Sequence, residues 1–268
     1  MTDFAPQPRP ILQRHLPHAA WMDPRTARLP GILPVEGDDW LRVDDAFAGQ
    51  MAERDRLLAE RPDVVHAMLD RGRPAAMELL ARVLDKLRAT PGYRVGVTEV
   101  TRPDGVTVPL ATDWPLMTLG RLVQEDLCLM EREGDEHLLS GAVLCFPASW
   151  SLAEKIGRPM TGIHVPVAHY TEDVARRVQR LFDAIRPEQP LWRMNALTYA
   201  DPTLHQPRSE TDRRPRPKAE ERRFMRSERQ CLLRLPQTQA VLFSIHTYVV
   251  RLEDLSQAER DGLVAAGL

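Results

Sequence analysis

The chain has 268 residues, 43% of them hydrophobic and 28% charged, with a formal net charge of -2. That length supports one large domain or two small ones with a substantial core, the near-neutral balance argues against nucleic acid or a membrane surface as a partner, and no apolar run approaches the roughly 20 residues of a membrane span. The opening MTDFAPQPRP lacks the basic-then-apolar pattern of a signal peptide, and three scattered cysteines, Cys128, Cys145 and Cys231, suit a reducing compartment, so a cytoplasmic protein with its thiols in the core is expected.

Residues 1–43 are proline-rich, with Trp21 and Trp40 interspersed, and read as an irregular arm laid over a single domain spanning 44–268. Asp44 and Asp45 are placed to cap a helix whose apolar positions are Phe47, Met51 and Leu58. Pro62 opens a short second helix with Val64, Val65, Met68 and Leu69 on one side and Gly72 as its stop. Pro74 opens a third, striped by Met77, Leu80, Val83, Leu84 and Leu87, the ordinary signature of a buried face. Tyr93 to Val100 and Val106 to Leu110 form a hairpin about Arg102-Pro103-Asp104-Gly105. Residues 115–126 return to helical spacing. Leu127 to Glu131 and Leu138 to Phe146 form a second hairpin about Glu133-Gly134-Asp135.

The stretch from Cys145 to Tyr170 mixes apolar residues with three prolines and two glycines. Ser151 and Glu154 make an S-x-x-E capping box, stopped by Gly157. Ile163, His164 and Val165 are expected to be extended, because Pro166 pushes its predecessor out of the helical region. A helix follows from about Thr171 to Ile185. Three strands come last, Trp192 to Tyr199, Arg226 to Leu235 and Ala240 to Val250. Between the first two lies a basic, proline-rich loop at 202–224, read either as a solvated loop or as a docking patch for an acidic partner or anionic cofactor. Ser256 and Glu259 box a short final helix. Hairpins with helices grouped before and between them argue for α+β. Neither G-x-G-x-x-G nor a Walker motif is present.

Strand alternation sets Arg193 with Asn195, Arg226 with Glu228 and Gln230, and Ser244 with His246 and Tyr248. Each polar line is a solvent-exposed sheet face, or else the wall of a buried cavity in which Glu228 pairs with Arg193 or Arg226 and serves an amine or a proton relay. His164 stands alone in sequence, with His169 five residues on. It reads as a structural residue or as a ligand. No zinc-type His/Cys spacing and no G-x-S-x-G elbow accompany it.

Taken together, EDLCLM (125–130), SGAVLCFPASW (140–150), EKIGRPM (154–160), IHVPV (163–167), Arg193 with Asn195, RSERQCLLRLP (226–236) and VLFSIHTY (241–248) resemble, in the same order, the haem-dependent oxidative N-demethylase family. The resemblance runs from about Phe47 to Val250. It implies a PAS-like antiparallel sheet flanked by helices, enclosing haem b. It implies oxidation of a small methylated amine such as dimethylamine by a monooxygenase-type reaction, giving the demethylated amine and formaldehyde. It also implies electrons from a separate NAD(P)H-dependent reductase or ferredoxin-type donor, since the chain is too short to hold its own, and tetrahydrofolate as a formaldehyde acceptor. On the matching positions, His164 is the implied iron ligand, with His169 the competing one. Glu228 and Arg193 are the active-site pair, Tyr248 adds a hydrogen bond, and Lys155, Arg158, Arg226 and Arg229 are the cations for the cofactor. The chain departs from the family at Val167-Ala168-His169-Tyr170, at Ala196 where an aromatic is usual, and at His246 where an arginine is common. A non-catalytic haem-binding sensor or carrier is the alternative, and a haem-free binding module the third reading. The oligomeric state is left open.

Overall fold

The computed structural model describes residues 9–28, 30–164, 171–212 and 217–268. Its architecture is α+β, an antiparallel sheet with helices on both faces. The main sheet is built from β1 (Leu33–Pro34), β2 (His66–Met68), β6 (Asp126–Glu133), β7 (Glu136–Val143), β8 (Leu191–Met194), β10 (Phe224–Arg234) and β11 (Val241–Arg251), ordered β1-β8-β10-β11-β6-β7-β2, with β9 (Leu197–Tyr199) also pairing β10. A separate three-stranded sheet holds β3 (Arg94–Val95), β4 (Glu99–Thr101) and β5 (Thr107–Pro109).

Local chemistry accounts for the turns and several helices. Gly105 (φ 84°) and Gly134 (φ 59°) supply the left-handed backbone at the two hairpin turns. The first expected strand is interrupted near Gly96, so the hairpin has three short strands rather than two long ones. The helices α1 (Phe47–Glu60), α3 (Arg73–Arg88) and α4 (Pro115–Gly120) bury Leu57, Leu58, Leu79, Leu80, Val83, Leu116 and Leu119 against one sheet face, where Leu127, Leu129, Val143, Leu233 and Leu242 meet them. Gly120 allows the closest approach, because a Cβ there would lie 2.6 Å from Val143 Cγ2. The opposite face carries Cys128, Met130, Ala142, Leu144, Leu232, Val241 and Ile245. It is covered by α5 (Met160–His164) and α6 (Glu172–Ala184), with Met160, Phe182 and Ile185 inserted. Thr171 caps α6, accepting from Val174 N. Ser256 and Glu259 cap α7 (Gln257–Ala266) reciprocally.

Three expectations fail for tertiary reasons. The helix after Pro62 lasts one turn, α2 (Pro62–Val65), because the next residues leave it to pair with β7 at the sheet edge. Asp44 is not the N-cap of α1, which is Ala46, although its Oδ1 accepts from Ala46 N at 3.0 Å. Its Oδ2 is drawn into the core described below. The box at Ser151 does not form. Leu152–Glu154 makes a single 3-10 turn, Ser151 caps nothing, and Glu154 accepts from Ser209 Oγ and Glu210 N. Within the N-terminal arm, Trp21 and Trp40 are buried and β1 joins the main sheet beside β8.

Candidate functional site

Register decides which polar lines share a wall. Gln230 lies opposite Arg193 and Ile245, and Glu228 lies opposite Thr247. Arg193, Arg226, Glu228 and Gln230 therefore project from the face that α5 and α6 cover. Asn195 joins them where β8 breaks from β9. Its backbone N donates to Glu228 O at 3.1 Å, and its Oδ1 accepts from Glu228 N at 2.8 Å. The expected single strand from Trp192 to Tyr199 is thus two, bridged by a side-chain amide standing in for a ladder partner.

Glu228 is buried, at 7% exposure. Its Oε2 accepts from Asn195 Nδ2 and from Gln230 Nε2, both at 3.0 Å. Its Oε1 lies 3.8 Å from Arg226 Nε. Of the two partners expected, Arg226 is the one in contact. Arg226 is itself committed. It donates to the carbonyls of Phe146 (2.7 Å) and Leu204 (2.9 Å), which fastens the 146–150 and 203–206 segments to β10. Arg193 has neither an ion pair nor a hydrogen bond to its guanidinium among the described residues, and its Nε is wholly shielded from solvent. Burial pushes its pKa down, opposed only by the field of Glu228.

His164 ends α5 rather than lying extended. The proline rule binds only the residue directly before Pro166, and the helix closes one residue sooner. The ring is half-buried, and its Nδ1 donates to Met160 O at 2.8 Å. A carbonyl can only accept, so this bond assigns the proton to Nδ1 and the lone pair to Nε2. Burial lowers the pKa, so the ring is neutral near pH 7. A neutral imidazole oriented by a carbonyl is the state that ligates a metal. Ile163 beside it is, like Trp150, Val178, Leu181, Leu191 and Phe243, a partly buried apolar side chain packed against the core on this sheet face. His169, its competitor, lies outside the described residues.

The expected cofactor cations are dispersed. Lys155, 5% exposed, donates to Ile163 O at 2.6 Å and pairs with Glu210 at 2.5 Å. It holds the peptide next to His164 and is not spare for another anion. Arg158 reaches the same carboxylate at 3.3 Å. Arg229 points to the other sheet face, with its guanidinium 5.2 Å from the Trp192 ring and 3.5 Å from Asp39. Tyr248 also lies on that other face, paired with Ser227, so the sheet separates it from Glu228 and Arg193.

Tyr248 instead borders a cleft of about 650 Å³ with Leu16, Leu41, Arg42 and Asp44. Beneath it His246 sits between Glu125 (Nδ1 to Oε1, 2.9 Å) and Asp44 (Nε2 to Oδ2, 3.0 Å). Burial alone would depress this histidine, but the two carboxylates raise it to about 9. The cluster was not legible as such. Its three members lie far apart in sequence, and only the departure from arginine at His246 marked the position. The cysteines are inert core residues, with burial pushing the thiols of Cys145 up to about 12 and of Cys231 to about 11.

Fold and site together define an α+β protein with a buried charged row on one sheet face and a carbonyl-anchored histidine in the layer covering it. A family model described as haem-dependent oxidative N-demethylase, alpha subunit-like, matches residues 31–267, and the chain belongs to that family. The family's name indicates dependence on haem. Among the described residues no helix is long and apolar enough to cross a membrane.

Proposed function

We propose that the protein binds haem b against the sheet face bearing Glu228 and Arg193, with His164 as the side chain that would hold the iron, and catalyses oxidative N-demethylation of a small methylated amine. The observation that carries this reading is the His164 ring, which is neutral, fixed by Met160 O and set beside partly exposed apolar side chains. The donor set suits a porphyrin. Among the described residues no three His, Cys, Asp or Glu side chains converge on one point, and a cofactor that brings its own nitrogen ligands to iron needs a single histidine from the protein.

Haem, when bound, supplies the redox iron at which oxygen chemistry occurs. The chain's own groups bind and orient. Glu228 Oε1, 3.8 Å from Arg226 Nε, accepts a hydrogen bond from the ammonium of the amine. Asn195 and Gln230 hold the carboxylate in place through its other oxygen. In the overall reaction the methylated amine, O2, a pair of electrons and two protons give the demethylated amine, formaldehyde and water. The separate electron donor and tetrahydrofolate as formaldehyde acceptor enter this reading from the resemblance alone.

The test is a visible spectrum of purified protein, oxidised and then reduced under CO, for wild type and His164→Ala. A Soret band that the substitution abolishes or shifts supports the ligand assignment, and an unchanged band ends it. Amine-dependent O2 uptake by the reduced protein then separates an enzyme from a haem carrier or sensor, which would bind haem without turnover.

A further inference from the structure

The charged row on the sheet face is not balanced. Glu228 has three polar side chains arranged about it, those of Asn195, Gln230 and Arg226, while Arg193, on the adjacent strand, has no hydrogen bond or ion pair to its guanidinium among the described residues. Arg226, the other cation on this face, spends its donors on the carbonyls of Phe146 and Leu204. A guanidinium carries five N–H donors in a fixed fork. The Nε of Arg193 is shielded from solvent without a partner while the ends of this half-buried guanidinium still reach water, a placement that favours a ligand able to engage the fork. The nearest carboxylate, Glu228, forms no ion pair with it and is held by Asn195 and Gln230 on its own strand and at the strand break. Among the described residues no carboxylate pairs with Arg193, which leaves the place open to an anion carried by a ligand.

We propose that Arg193 is the anchor for a carboxylate carried by a ligand of this site, which belongs either to a propionate of the cofactor or to an acid group on the amine substrate. The placement rests on the function proposed above, whereas the demand for an anion does not. A carboxylate matches the guanidinium fork in a bidentate fashion, which a chloride or a neutral amine cannot do. With Glu228 two residues along β10 from the position opposite Arg193, an N-methylated amino acid would find its ammonium and its carboxylate both answered on one wall.

Three proteins test this, the wild type, Arg193→Gln and Arg193→Lys. Without ligand, Arg193→Gln is expected to melt at a temperature equal to or above that of wild type, because it removes an uncompensated charge. A clear fall would mean that Arg193 is held by the fold, and would overturn the proposal. In haem-loaded protein, transfer of haem to an excess of apomyoglobin is followed at the Soret band, and N-methylglycine and dimethylamine are titrated separately. If a propionate is the partner, Arg193→Gln loses haem about tenfold faster or more, Arg193→Lys recovers part of that, and N-methylglycine has no advantage over dimethylamine. If the substrate supplies the acid, haem loss is unchanged, N-methylglycine binds about tenfold tighter or more than dimethylamine, and Arg193→Gln erases the difference. Equal behaviour of all three proteins in both assays overturns the proposal. Should the wild type take up no haem, the function proposed above fails by itself. The anchor is then judged on the haem-free protein, where N-methylglycine must raise the melting temperature of wild type and not of Arg193→Gln.

Discussion

At the scale of single residues, the most consequential group outside the candidate site is His246. Both ring nitrogens face carboxylate oxygens, so both carry protons and the ring is an imidazolium. Asp44 also accepts from Gln124 Nε2 at 2.8 Å and from Gln13 Nε2 at 2.8 Å, and Arg42 N donates to Glu125 Oε1 at 2.8 Å. The charge is thus answered on every side, with the Tyr248 ring 4.6 Å away. The folded pKa of about 9 lies above the ordinary value of 6.5. The proton's stabilisation is therefore fully present below about pH 6.5 and is lost as pH rises through about 9, a swing on the order of 3 kcal/mol. Asp44 is shifted the opposite way. Burial would raise it, but His246 and the amides outweigh that, and its stabilisation disappears only as pH falls below the usual carboxylate range. Thermal melts should show a plateau near neutral and mildly acidic pH and a falling melting temperature towards pH 9.5. A His246→Gln protein should be less stable at pH 6 and should lack that alkaline limb.

Among the elements, the short α5 depends on side chains that reach it from elsewhere. Five residues cannot hold a helix by propensity. Its C-terminal carbonyl at Ile163 is taken by Lys155 Nζ, and Lys155 is in turn neutralised by Glu210, whose carboxylate this bond holds below the usual range. Glu154 fastens the same loop through Ser209 and Glu210 N. One lysine thereby ties the 3-10 turn, α5 and the 208–212 segment together beside His164. The described part of the basic loop at 202–224 is accordingly anchored here and at Leu204, which is 3% exposed. Lys155→Met keeps the aliphatic stem and removes the donor. The expected loss is about 1–3 kcal/mol in denaturant unfolding, because the half-buried carbonyl at the end of α5 loses its donor. A change within about 0.5 kcal/mol would show that the staple contributes nothing.

For the molecule as a whole, the sheet divides two apolar cores, and the N-terminal arm closes one open flank of β11. Beyond the last residue that β6 pairs, Gln13 takes the place of a strand. Its backbone N donates to Val249 O at 2.9 Å, its Oε1 accepts from Val249 N at 2.8 Å, and its Nε2 donates to Thr247 O at 3.1 Å. Gln50 Nε2 reaches the same Thr247 carbonyl at 2.9 Å. Gln13→Ala would leave a buried N–H at Val249 unpaired, at a cost of about 1–3 kcal/mol. Limited proteolysis should then cut within residues 9–28 faster than in wild type while the sheet core persists. Equal cleavage rates would show that the arm is held by Trp21 and its neighbours alone.

What the sequence determined by itself was set by interactions within a few residues. The Ser256–Glu259 box, the helix starting at about Thr171, the glycine turns at Gly105 and Gly134 and the alternation within each strand all act over one or two turns of chain, and all appear as read. The mixed helix and antiparallel-sheet architecture followed from their order. The tertiary structure alone decided how those elements face one another. Alternation ties Glu228 to Gln230 and His246 to Tyr248, yet only the β10–β11 register determines that the two lines lie on opposite faces. The His246 cluster joins groups 121 and 202 residues apart, beyond the reach of any spacing rule. The turn at Pro62 and the missing box at Ser151 are local preferences overridden by sheet pairing and long-range side-chain bonds. Long-range burial and pairing override weak local propensity, and that is why the charged row on the sheet could be read as residues but not as a site.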